Sequence, residues 1–148
     1  MRALIQRVLH AAVTVDGETV GEIQNGLLVY VGIAPSDTPA DAQALAAKVV
    51  NLRIFPDTED KLNLSVKQTG GGILVVPNFT LYADARKGRR PAFNSAAPGE
   101  VAQPLTDAFA EAIAAEGIAP QTGQFGADMK IESVADGPIN LMIEIPAV

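Results

Sequence analysis

Cysteine is absent from this 148-residue chain, and histidine occurs once. The missing cysteine excludes thiolate nucleophiles, disulfides and cysteine-ligated zinc together. A single histidine, His10, cannot build a multi-histidine metal site. It could serve one Ser or Thr as a general base, but it falls in what reads as a strand near the N-terminus, where a structural role is the plainer reading. No clustered carboxylates make a ligand pattern, so catalysis is expected to need neither metal nor cofactor. Hydroxyls, carboxylates, backbone amides and the substrate itself are left to carry any chemistry. Long apolar runs are missing too: none approaches the roughly 18 residues of a spanning helix. Arg2, Arg7 and His10 interrupt the N-terminus, which therefore lacks the apolar core of a signal peptide. A soluble, cytoplasmic protein is expected.

Positive charge is in short supply. The net charge of −6 argues against binding nucleic acid through the whole surface. Yet Arg86, Lys87, Arg89 and Arg90 place four of the eleven basic residues within five positions. Such a footprint reads either as a solvated loop or as a local, salt-sensitive contact to a few phosphates.

What is present is a packed globule: 48% hydrophobic and 19% charged residues, in a length that fits one domain spanning residues 1–148. The organising stretch runs from Gly72 to Phe93. Ile73 to Val76 reads as a strand buried on both faces, and Pro77, with no amide hydrogen, ends its regular pairing. Asn78-Phe79-Thr80 then offers a hydroxyl at the strand end, with the four cations close behind. The plainer alternative is a core strand leading into a solvated loop.

Along the chain, Asp16-Gly17 is a hairpin signal between strands, and Asn25-Gly26 reads as a second turn of the same kind, which predicts a β-meander. Thr38, Pro39 and Asp41 mark a helix start, and Ala42, Leu45, Ala46, Val49 and Val50 carry its apolar face to about Asn51. Leu62, Leu64 and Val66 alternate with Asn63 and Ser65 as in a half-buried strand. Gly70-Gly71-Gly72 lacks the Lys-Ser/Thr of a phosphate-binding loop. Leu105, Ala108, Phe109, Ala112 and Ile113 define a second amphipathic helix, which Pro104 either limits or kinks, with Gly117 as its C-terminal cap. Two closing strands, about Met129 to Val134 and Ile139 to Ile145, flank Asp136-Gly137-Pro138. That connector is read either as a plain hairpin turn or as a turn built on a cis proline. No repeat or linker is visible. The fold class is α+β: mainly antiparallel, barrel-like sheet with two amphipathic helices.

Met1-Arg-Ala-Leu-Ile-Gln-Arg-Val8, Leu27-Leu-Val-Tyr-Val-Gly-Ile33, Leu52-Arg-Ile-Phe55, Phe79-Thr-Leu81, Arg86-Lys-Gly-Arg-Arg-Pro-Ala-Phe93, Phe125-Gly-Ala-Asp-Met-Lys130 and Asp136-Gly-Pro138 occur in this order. Together they resemble the D-aminoacyl-tRNA deacylase family nearly end to end. The family's usual Ser-Gln-Phe-Thr is here Pro77-Asn78-Phe79-Thr80, and its Gly-Pro-Val-Thr is Gly137-Pro138-Ile139-Asn140. The resemblance implies a homodimer that hydrolyses the ester between a D-amino acid, or glycine, and the 3′-adenosine of tRNA, while sparing L-aminoacyl esters. It implies that Asn78, Phe79 and Thr80 form the catalytic segment. It also implies that a cis Gly137-Pro138, with Asp136 and Asn140 beside it, enters the partner's pocket and excludes L side chains. The partners would be D-aminoacyl-tRNA, glycyl-tRNA and a second copy of the chain, with Arg86, Lys87, Arg89 and Arg90 on tRNA phosphates. On residue chemistry, Thr80 has no evident base, so backbone amides at Phe79 and Thr80 together with the substrate's 2′-hydroxyl are favoured over nucleophilic attack by Thr80. The alternatives are a non-catalytic RNA-binding module using Arg86 to Arg90 and a structural dimerisation domain.

Overall fold

The computed structural model describes residues 1–146. Its spine is β1 (Arg2–Val15), a strand long enough to serve several partners. Along one edge it pairs antiparallel with β8 (Lys130–Glu144), from Arg2 opposite Glu144 to Thr14 opposite Lys130. On the other edge β2 (Glu18–Ile23) and β3 (Gly26–Gly32) lie end to end, β2 against Ala11–Val15 and β3 against Arg2–Val8. The Asp16-Gly17 turn is as expected, with both residues at positive φ. The expected meander is not. Asn25-Gly26 does not reverse the chain, because β1 extends past the end of β2 and offers the next strand a free ladder on the same edge. Glycine is needed at 26 for another reason: a Cβ there would lie 2.0 Å from the Gly72 carbonyl oxygen of the adjoining strand.

From β3 the chain passes through α1 (Pro39–Asn51), the short pair β4 (Phe55–Pro56) and β5 (Leu62–Leu64), and α2 (Val66–Thr69) to β6 (Gly72–Pro77). β6 runs parallel to β3. α3 (Gly99–Ala115) then leads to β7 (Gln121–Thr122), which runs parallel to β6. The sheet is therefore antiparallel around β1 and parallel around β6. It curls until Gly21 of β2 meets the Thr122 backbone of β7, which makes it a nearly closed barrel.

α1 starts at the expected Thr38 cap, which Asp41 completes as a capping box, and buries Ala42, Leu45, Ala46, Val49 and Val50. The strand expected through Val66 stops at Leu64. Ser65 and Gln68 form a capping box of their own, each side chain serving the other's backbone amide, and Val66 begins a helical turn instead. Among the described residues three α-helices thus stand where two were expected. α3 runs through Pro104, with its first turn anchored on the Pro98 carbonyl by the amides of Val101 and Ala102. The bond that Pro104 cannot donate would have gone to Glu100. Both residues are exposed, so water can serve that carbonyl.

The sheet separates two apolar clusters. Ile73 and Val75 join Ile5, Leu27, Val29, Leu45, Val49, Phe109 and Ile113 beneath the helices. Leu74 and Val76 face Val8, Ala11, Val13, Ile23 and Leu28 inside the curl. Ile73 to Val76 is thus buried on both faces, as expected. The closing strands are one continuous strand, β8, not two joined by a hairpin turn. Asp136 to Ile139 bulge out opposite Arg7, between the pairs Val8–Ala135 and Gln6–Asn140. Both ends of β8 find ladder partners on the same long β1, so the chain bulges without turning back. The Gly137–Pro138 peptide is cis. Among the described residues no helix is long and apolar enough to cross a membrane.

Candidate active site

β6 delivers Asn78 to the open end of the sheet. Its amide donates to the Val31 carbonyl (2.8 Å), which extends the β3–β6 pairing one step past Pro77. The chain then tightens into a 3-10 turn, Phe79–Tyr82, capped by Asn78. The Asn78 Oδ1 accepts from the Thr80 amide (3.2 Å) and from the Thr80 hydroxyl (2.5 Å). The amide of Phe79 makes no hydrogen bond to another described residue. The turn leaves that donor uncommitted while the next is held by its own cap.

Beside the turn lies a cavity of about 450 Å³. Asn78 and Phe79 form its rim. Tyr30, Val31, Val76, Ala102, Thr106, Phe125 and Met129 contribute to walls that are largely apolar. Burial pushes up the pKa of the Tyr30 hydroxyl. The Tyr82 hydroxyl is pushed up to about 12, first by burial and then by the charge of Asp37, against the opposing pull of Arg2. Both phenols stay protonated at neutral pH and act as neutral groups. His10 does not reach the turn: its Nε2 meets Glu22 Oε2 at 2.7 Å on β2. Among the described residues the Thr80 hydroxyl has no histidine, amine or carboxylate as a hydrogen-bond partner.

The basic segment is stapled next to the turn. Asp84 and Ala92 exchange backbone hydrogen bonds of 2.8 Å, closing residues 85–91 into an exposed loop. Phe93 packs edge-on against Phe79 at 5.1 Å between centroids. The four cations are not equivalent. Arg86 holds Asp84 through Nε (2.9 Å) and Nη2 (2.8 Å), and this pulls the Asp84 carboxyl down to about 2. Lys87, Arg89 and Arg90 have no ion-pair partner among the described residues.

Asp136, Gly137 and Pro138 lie on the β8 bulge, Asn140 resumes the ladder beside it opposite Gln6, and none of the four takes part in the lining of this cavity. Asp136 instead borders a separate hollow with Val8, Leu9, Phe55 and Gly70. Within one chain the two groups of expected site residues are not brought together. Arg7 anchors the bulge, its buried guanidinium lying 3.2 Å from both the Asp136 carbonyl and carboxylate oxygens and donating to the Ile54 carbonyl at 2.8 Å. Arg2 similarly donates to the Leu81 carbonyl in the 3-10 turn. In the sequence these two arginines interrupt an apolar start and belong to the Met1–Val8 motif, with no anchoring role evident. For Arg7 a signal existed: period two puts it on the same buried face as Ala3 and Ile5. For Arg2 there was none.

The model of the family described as D-Tyr-tRNA(Tyr) deacylase matches residues 4–144. A D-aminoacyl-tRNA deacylase of Chloroflexus aurantiacus is 55% identical over 97% of this chain and 90% of its own length. One from Syntrophobacter fumaroxidans is 48% identical over 97% of each. Among solved structures, a c-Myc DNA unwinding element binding protein superposes with a TM-score of 0.94 at 36% identity, over 99% of this chain and 100% of that one. A probable eukaryotic D-amino acid tRNA deacylase shares the fold, with a TM-score of 0.84 at 18% identity over 97% and 98%. On a match that runs almost end to end, this chain belongs to the D-Tyr-tRNA(Tyr) deacylase family.

Proposed function

We propose that this protein hydrolyses the ester between a D-amino acid and the 3′-adenosine of tRNA, accepts glycyl esters, and spares L-aminoacyl esters. The observation that carries the reading is the Asn78-capped turn, which holds an uncommitted Phe79 amide at the rim of a largely apolar cavity in a chain of this family. An aminoacyl ester is already reactive, so its hydrolysis asks chiefly for stabilisation of the tetrahedral oxyanion. A fixed amide supplies that, at about 3 kcal/mol per donor. The Thr80 hydroxyl, engaged by Asn78 and without a base, orders the turn and leaves the attack to water assisted by the neighbouring ribose hydroxyl.

Selection against L substrates is assigned to Gly137 and Pro138 of a second copy, flanked by Asp136 and Asn140. Two features support this. The bulge and the turn occupy separate places in one chain, and Leu9, Val134 and Met142, all on the strands around the bulge, are exposed apolar residues suited to cover by another subunit. A backbone obstruction at the α-carbon rejects one configuration whatever the side chain, whereas fitting side chains would separate amino acids by only about 1–3 kcal/mol per methylene. Lys87, Arg89 and Arg90, with Arg86 bracing their loop, are assigned to tRNA phosphates, and the cytoplasm is where such a substrate resides.

The test is to incubate the protein with D-tyrosyl-, L-tyrosyl- and glycyl-tRNA and follow binding and ester loss together. Loss of the D and glycyl esters with the L ester intact is expected. Salt-sensitive binding without turnover of any ester would overturn the reading and leave an RNA-binding module.

A further inference from the structure

We propose that Arg2 is a positioning residue for the candidate active site, setting the place of the Phe79–Thr80 turn through a row of three residues in register across the sheet. The proposal rests on the catalytic reading of that turn. Arg2 stands opposite Glu144 of β8 on one side and Gly32 of β3 on the other. Residues paired across neighbouring strands share a face of the sheet. The row therefore presents a carboxylate, a guanidinium and a bare Cα side by side, and the 3-10 turn rests on it.

Each member of the row does a different thing. Gly32 leaves room: a Cβ there would stand 3.0 Å from the Asn78 carbonyl oxygen, 3.1 Å from the Tyr82 ring and 3.2 Å from the Leu81 side chain. Arg2 donates through Nη1 to the Leu81 carbonyl at 2.6 Å, and its guanidinium lies over the Tyr82 ring, 4.5 Å from the centroid. Glu144 pairs its charge with the guanidinium, its Oε1 lying 2.5 Å from Nε in a position that takes no hydrogen bond from the Nε–H. The group is thus held on three sides while it holds the turn. The planar fork of arginine makes these contacts at once, and the point charge of lysine does not.

The geometric consequence falls on the chemistry. Leu81 is two residues beyond Phe79, in the same single turn, so movement of its carbonyl moves the Phe79 amide. A misplacement on the order of 1 Å costs about a hundredfold in rate. The same row ties the turn to β8, the strand that carries Gly137 and Pro138, so both halves of the proposed site are referenced to one strand, β1.

The experiment compares the parent with Arg2→Lys, Arg2→Ala and Glu144→Gln. D-tyrosyl-tRNA deacylation gives kcat and KM, and amide hydrogen exchange is followed in residues 78–83 against residues 27–31 of β3. A positioning role lowers kcat by about ten- to a hundredfold in Arg2→Ala, with Lys in between and KM unchanged, while exchange quickens in the turn and stays protected in β3. A merely structural role quickens exchange across both segments and lowers activity only with the folded fraction. Parent-like kcat in Arg2→Ala, or an unchanged turn, overturns the proposal. If Arg2→Ala does not fold, Arg2→Lys and Glu144→Gln decide on the same criteria. A parent that leaves D-tyrosyl-tRNA intact refutes the proposed function, while the exchange comparison still decides whether Arg2 holds the turn.

Discussion

Replacing Gly32 by alanine adds one methyl group where the structure leaves least room for it. The backbone at this position is not in the left-handed region, so the chain itself accepts alanine. The added Cβ meets the carbonyl oxygen of the capping Asn78 at 3.0 Å and two atoms of the 3-10 turn at 3.1 and 3.2 Å, where ordinary contact begins near 3.4 Å. Each neighbour must retreat by a few tenths of an ångström, and all three belong to the segment that carries Phe79 and Thr80. Overpacking of this kind costs about 1–3 kcal/mol. For a chain of this size that lowers Tm by about 3 °C per kcal/mol. With a 1 Å misplacement costing about a hundredfold, the smaller shift is expected to lower kcat/KM for D-tyrosyl-tRNA by about tenfold. Calorimetry and a deacylation assay on the same preparation check both numbers. A variant that loses stability but keeps parent kcat/KM would refute the link between the seat of the turn and catalysis. One that keeps both would refute the contact geometry.

Four other outcomes are expected. Thr80→Ala keeps kcat within about tenfold of the parent, with no acyl-enzyme detected by mass spectrometry, whereas removing a true nucleophile costs roughly a millionfold. Neutralising Lys87, Arg89 and Arg90 to Gln flattens the salt dependence of tRNA binding by about one unit per lost contact, and Arg86→Gln alone changes it less because Arg86 already holds Asp84. The Asp84 carboxyl is depressed, so the support it gives the loop is complete above the ordinary carboxylate pKa of about 3.9 and is lost only as the pH falls through about 2. An NMR titration of Asp84 should show this, and Arg86→Gln should return its midpoint toward the ordinary value. Phe109→Ala empties a fully buried site between the helices and the sheet, with an expected loss of about 3–5 kcal/mol in denaturant unfolding.

The local elements were written where adjacent residues decide the matter. Ile73 to Val76 is a short, β-branched apolar run that reads as a doubly covered strand, and it is one. Thr38, Pro39 and Asp41 supply a cap, a preset φ and a reciprocal acceptor, and α1 starts there. Asp16-Gly17 provides the two positive φ values of a tight hairpin, and the hairpin forms. Where two local signals competed, the hydrogen-bonding one prevailed: the Ser65–Gln68 capping box ended a strand that alternation extended to Val66.

The chain's membership in its family, and with it the segments of interest, was also legible, because Phe79-Thr-Leu81 and Asp136-Gly-Pro138 stand in order in the text itself. Tertiary structure decided what those segments rest on. Asn25-Gly26 and Asp136-Gly137-Pro138 both read as turns, yet neither reverses the chain, since the fourteen-residue β1 keeps offering partners beyond each of them. Turn propensity is local, but whether a strand resumes in the same direction depends on which ladder is vacant. Arg2 and Arg7 are likewise ordinary charges on paper. They become the anchors of the turn and of the bulge because Leu81 lies 79 residues and Asp136 lies 129 residues away along the chain, and only folding brings those carbonyls within hydrogen-bonding distance.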